Sequence, residues 1–145
     1  MNPEYFNLLL ETITQNQNPT DIPVASLIVD PAGEVVSLGW NTNHTSWDIA
    51  AHAEINAINK LTKKLKTLNL ENYKLLTTLE PCPMCYAAIK QAKINHVEYI
   101  VDSLKFGVTN HLAINDLDLK IVKNSSPNQE AKCQEILTHF FKKLR

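Results

Sequence analysis

The stretch from Lys74 to Val101 constrains the fold more than any other part of the chain. Lys74 to Leu79 alternates weakly between apolar and polar residues and ends at Pro81, Cys82 to Lys93 is helical in pattern, and His96 to Val101 reads as a strand again. Strand, helix, strand is a crossover unit, and a crossover joins strands that lie parallel in one sheet.

The remaining segments supply the layers around such a sheet. After Asn2 and Pro3, the residues Phe6, Leu9, Leu10 and Ile13 recur at helical spacing, and this amphipathic helix dies in the polar cluster Gln15 to Thr20. Pro23 then opens the run Val24 to Asp30, Pro31-Ala32-Gly33 supplies turn chemistry, and Val35 to Trp40 follows as the second arm of a hairpin. Because the first arm is apolar almost throughout, it is expected inside the sheet. A polar loop, Asn41 to Asp48, precedes a helix from about Ala50 with Ile55, Ile58 and Leu61 on one stripe and a basic end, Lys60 to Lys66. Leu119 to Lys123 is a candidate fifth strand whose direction the pattern leaves open, and Gln129 to Leu144 is an amphipathic closing helix. No internal repeat or low-complexity segment interrupts the series. The alternation predicts an α/β layered domain with helices on both faces of the sheet, and 145 residues are the length of one domain, 1–145.

Charge and cysteine usage narrow the setting. Fourteen Lys+Arg against fifteen Asp+Glu give a net charge of −1, so no bulk positive field announces a nucleic-acid partner, and one must be met by a local patch. Three cysteines cannot all pair internally. No basic-led apolar leader opens the chain, and runs such as Val24 to Val29 fall far short of the roughly 20 residues that span a bilayer. The expectation is a cytoplasmic protein with reduced thiols and no membrane contact.

Two short motifs carry the chemistry: His52-Ala53-Glu54 and Pro81-Cys82-Pro83-Met84-Cys85. Two thiolates and one imidazole make a three-ligand tetrahedral Zn²⁺ site whose fourth position stays open for water, the catalytic rather than the structural pattern. Cys82 and Cys85 are three apart and share a face at the start of a helix, where Pro83 costs no hydrogen bond and the dipole favours thiolate. His52 and Glu54 stand about 200° apart on a regular helix, so both reach one metal-bound water only if the helix begins close to His52. Glu54 then lies in the first turn as a general base near the zinc that is not itself a ligand.

These residues resemble the zinc-dependent cytidine and adenosine deaminase superfamily, whose signature is His-x-Glu followed by Pro-Cys-x-x-Cys. Further matches are Pro23-Val24, Gly39-Trp40-Asn41, Ala51 to Ile55, Thr78 to Cys82, and Phe140-Phe141 before the basic C-terminus. Together they look most like the bacterial tRNA-specific adenosine deaminases. That resemblance implies a three-layer α/β/α cytidine deaminase-like fold with a five-stranded mixed sheet, a homodimer, one Zn²⁺ per chain on His52, Cys82 and Cys85, proton transfer by Glu54, and a hydrogen bond from Asn41 to the purine. It also implies a reaction, the hydrolytic conversion of the wobble adenosine of a tRNA anticodon loop to inosine with release of ammonia.

The chain departs from the tRNA enzymes at Asp102-Ser103-Leu104-Lys105-Phe106-Gly107, where they typically read Arg-Asp-x-Lys-Thr-Gly, and at Asp48 to Ala51, where they read Asp-Pro-Thr-Ala. The alternative is therefore a deaminase of a free nucleobase or nucleoside, of guanine or cytosine type, which Pro83 fits equally well. A structural zinc module is another reading, with His44, His96, His111, His139 or Cys133 as fourth ligand. Cys133 lies on the apolar stripe of the last helix and reads as a small buried hydrophobe. His44 either lines the substrate mouth or is a solvated loop histidine. Lys60 to Lys66, Lys105 and the Lys142 to Arg145 tail either steer RNA or form solvated faces, and Trp47 and Phe106 either stack on a base, meet a dimer neighbour or pack inside.

Overall fold

A computed structural model describes residues 1–112 and 118–144. Its elements run α1 (Pro3–Gln15), β1 (Ala25–Val29), β2 (Val35–Trp40), α2 (Ala53–Leu65), β3 (Lys74–Leu79), α3 (Pro83–Gln91), β4 (His96–Val101), a single 3₁₀ turn (Val108–Asn110), β5 (Lys120–Lys123) and α4 (Pro127–Lys143). The five strands form one mixed sheet in the order β2-β1-β3-β4-β5. β1 is antiparallel to both β2 and β3, whereas β3, β4 and β5 are parallel, as the crossover through α3 demands. The fifth strand thus continues the parallel half.

Two cores cover the sheet. On one face Ala57, Ile58 and Leu61 of α2 and Tyr86 and Ile89 of α3 pack on Ile28, Leu75 and Val97. On the other, Leu9 and Ile13 of α1 and Cys133 and Leu137 of α4 pack on Leu27, Leu76 and Ile100. Because it is covered on both faces, β1 is buried at every position, which is why its sequence does not alternate.

Close packing of α2 on the sheet fixes where the helix begins. Gly39 lies beneath its first turns: a Cβ there would collide with the Ala53 carbonyl oxygen and come within 2.6 Å of the Ala57 nitrogen. Gly39→Ala must push the helix away from β2. Overpacking of this kind costs about 1–3 kcal/mol, and a fall of that size in urea-unfolding stability is expected, with no change contradicting the contact.

The helix expected from about Ala50 starts three residues later. The backbone N–H groups of Ala51 and His52 bond the carbonyls of Asp48 and Ala50 in a turn, and His52 caps the helix with extended dihedrals of φ −80°, ψ 161°. Cys82 likewise caps α3 with Pro83 inside the first turn, so the helical pattern read from Cys82 begins one residue further on.

Candidate active site

Two helix N-termini converge at the carboxyl end of β3. His52, at the tip of α2, brings its Nδ1 to 3.7 Å from Cys82 Sγ and 3.5 Å from Cys85 Sγ, and all three ligand atoms lie within 4.8 Å of one another. Zn–S bonds of about 2.3 Å and Zn–N bonds of about 2.0–2.1 Å at tetrahedral angles separate nitrogen from sulfur by about 3.6 Å, so the donor set fits zinc in distance as well as in type. Among the described residues this is the one His/Cys/Asp/Glu group so arranged, and none of His44, His96, His111, His139 or Cys133 joins it. The set is a three-ligand site.

The electrostatics prepare it for a cation. A hydrogen bond from Cys85, together with one from His52, lowers the Cys82 thiol to about 4. Cys85 is pushed far up by its bond to Cys82 and by burial, and the His52 imidazole is raised chiefly by its bond to Cys82. A dication removes the reason for Cys85 to keep its proton. Zinc binding should therefore release at least one proton, and affinity should fall about tenfold per pH unit per proton as pH drops. Calorimetry in buffers of different ionisation enthalpy reads that number directly, and a pH-independent affinity would contradict the assignment.

Glu54 sits in the first turn of α2, 4% exposed, and burial pushes its carboxyl above the ordinary range. The Ser26 hydroxyl lies 3.4 Å from its Oε1 and 2.8 Å from Thr77 Oγ1. His52, Glu54 and Cys82 open onto one cavity of about 360 Å³, walled by Ile22, Val24 and Leu79 and mouthed by Asn43 and Phe106. That volume is in the small-molecule range of about 300–1,000 Å³.

Asn41 lies on the same cavity with its amide already engaged: Oδ1 accepts the Ala53 N–H at 2.8 Å and Nδ2 donates to the Ile22 carbonyl at 3.0 Å. One N–H and one lone pair remain. Three further residues have structural roles that sequence reasoning did not assign. Asn56 holds the turn before His52 through Trp40, Thr42 and Ala51. Asp21, 3% exposed, accepts from the backbone N–H groups of His44 and Thr45 and from the Thr45 hydroxyl, bracing the loop beside Asn43. Glu80, 4% exposed, accepts from Ser103 and twice from Thr109. A carboxylate between Leu79 and Pro81 was the available signal.

Residues 2–101 match the family described as the cytidine and deoxycytidylate deaminase zinc-binding region, a span that contains all three ligands and Glu54. The chain belongs to this deaminase family. Its relatives include the tRNA-specific adenosine deaminase of Aquifex aeolicus, 35% identical over 150 residues, with 100% of this chain and 97% of that protein covered. The tRNA(Ile)-lysidine synthase of Deinococcus deserti is 34% identical over 87 residues, which are 60% of this chain but only 16% of that protein. Among solved structures, one from a study of A-to-I editing by tRNA:A34 deaminases at the wobble position superposes with a TM-score of 0.79 at 26% identity, covering 92% of this chain and 99% of that one. A guanine deaminase from Nitrosomonas europaea superposes with a TM-score of 0.78 at 21% identity over 95% and 84%, which shows the shared fold.

Other features of the chain resolve around the site. His44 is exposed and does not line the cavity, and Trp47 is 93% exposed. Cys133 is buried, and burial raises its thiol to about 12. Lys60 donates to the Leu38 carbonyl at 2.7 Å and stands over the Trp40 ring. Lys63 to Lys66 sit at the far end of α2, roughly 17–21 Å of helix from His52, whereas Lys105 adjoins Phe106 at the mouth. Arg145, the end of the basic tail, lies outside the described residues. No helix among them is long and apolar enough to cross a membrane.

Proposed function

We propose that the protein is a zinc-dependent hydrolytic deaminase of tRNA, converting the wobble adenosine of an anticodon loop to inosine and ammonia. The observation that carries the substrate is similarity to the Aquifex aeolicus tRNA-specific adenosine deaminase along 97% of that protein's length. Held by His52, Cys82 and Cys85, zinc would supply Lewis acidity that makes water a nucleophile near neutral pH. Glu54, buried beside the ligands, takes the water's first proton and delivers it to the purine ring nitrogen, then carries the second from the hydroxyl added to the purine to the departing amine, which leaves as ammonia, a role its raised pKa suits. Asn41 orients the base with its remaining donor and acceptor while Ile22, Val24 and Leu79 clasp its faces. A loop base enters such a pocket without breaking a duplex.

The same reading takes residues 1–145 as one cytoplasmic deaminase domain acting as a homodimer. Exposed Trp47 and Ile49, at 93% and 86%, are apolar surface of the kind that a second copy covers. One observation favours a free base or nucleoside instead: the Lys63 to Lys66 run stands at the end of α2 away from the cavity, a poor place from which to hold RNA beside it.

An ammonia-release assay on zinc-loaded protein, run in parallel on guanine, cytosine, cytidine, adenosine and tRNA bearing a wobble adenosine, separates the two. Release from the tRNA alone is expected. Release from guanine or cytosine with none from tRNA would replace the tRNA reading by the small-molecule one.

A further inference from the structure

The Ser103–Gly107 loop combines an immobilised backbone with exposed apolar side chains. Glu80 accepts the Ser103 N–H at 3.3 Å and the Thr109 N–H at 3.0 Å, so one buried carboxylate ties both sides of the loop. Between them the Gly107 N–H bonds the Ser103 carbonyl at 2.8 Å, the Asn110 amide bonds the carbonyls of Ser103 and Leu104, and His111 Nε2 lies 2.7 Å from the Lys105 carbonyl. Gly107 is pressed on Glu80 so closely that any Cβ would collide with the carboxylate. Next to this frame, the Asp102 carboxylate is turned to Lys123 and Tyr99. A fixed loop of this kind costs little entropy to use. What it presents is Phe106, 60% exposed at the mouth of the cavity that holds Glu54, with the Lys105 ammonium 5.3 Å from the ring centroid.

We propose that Phe106 is a specificity-determining residue: its ring stacks on the base adjoining the one in the cavity, and Lys105 meets the phosphate of that neighbouring nucleotide. An aromatic face beside a cation is the general means of holding single-stranded nucleic acid, and a ring 60% exposed leaves a face free for a base outside the cavity. The inference rests on the tRNA reading and adds a second nucleotide to it.

The test uses zinc-loaded full-length protein, an anticodon stem–loop RNA with a wobble adenosine, and two versions carrying an abasic residue on one or the other side of that adenosine. Phe106→Ala should raise KM for the intact RNA by about 5- to 150-fold, the span of base–aromatic stacking, and Phe106→Trp should restore it. One abasic RNA should cost the wild type a similar factor and cost Phe106→Ala nothing more. If Phe106→Ala keeps the wild-type KM, or if the abasic and alanine losses simply multiply, the proposal is overturned while the tRNA reading stands. A wild-type dimer that Phe106→Ala turns into a monomer, with no rescue by tryptophan, assigns the ring to an interface and also overturns it. Wild-type protein that leaves every stem–loop untouched yet deaminates guanine overturns both.

Discussion

Glu54→Ala is expected to lower deamination by about 10²- to 10⁴-fold, the range general acid–base groups contribute, and by more if, as proposed, one residue serves several proton transfers. Zinc should stay bound at one ion per chain. The reason is geometric: the His52, Cys82 and Cys85 donor atoms form the ligand cluster, and Glu54 is not among them. Burial at 4% exposure raises the carboxyl's proton affinity, which suits a residue proposed to hold a proton between steps. Elemental analysis and turnover measured on the same sample decide the matter. A variant that keeps wild-type turnover, or one that loses its zinc, contradicts the role.

Cys85→Ala should act in the opposite order, losing the metal first and activity with it. Cys85 is fully buried at the third position of α3, and its sulfur lies 3.5 Å from His52 Nδ1. Without it two ligands remain on a site built for three. Ligand binding to the native state alone stabilises by about 4 kcal/mol at a thousandfold excess over Kd, so wild-type protein should melt at a higher temperature with zinc than without. The variant should show no such shift. An unchanged zinc content in Cys85→Ala would overturn the ligand set.

Much of this site was legible because its spacing is local chemistry. Cys82 and Cys85 share one helical turn, and the spacing of His52 and Glu54 called for a helix that begins beside the histidine, which is where α2 is capped. The strands were legible for a related reason: β2, β3 and β4 have the residue limits that apolar pattern and turn residues set. What remained hidden is tertiary. Nothing near Glu80 in sequence shows that its partners are Ser103 and Thr109, more than twenty positions away, and Ser26 reads only as a polar break in an apolar strand until the fold sets it beside Glu54 and Thr77. The start of α2 was misplaced toward Ala50 because alanines suit a helix as well as they suit the turn that Asp48 closes through Ala50 and Ala51. The direction of β5 depended on a partner strand, which periodicity does not name.

The most direct test of the account is position-specific. A transcribed tRNA with adenosine at the wobble position is incubated with zinc-loaded protein at low salt, and inosine is read at every adenosine by sequencing, with a parallel sample of free guanine followed for xanthine. Inosine is expected at the wobble adenosine alone, dependent on zinc and absent with Glu54→Ala. Unmodified tRNA beside guanine converted to xanthine would contradict it.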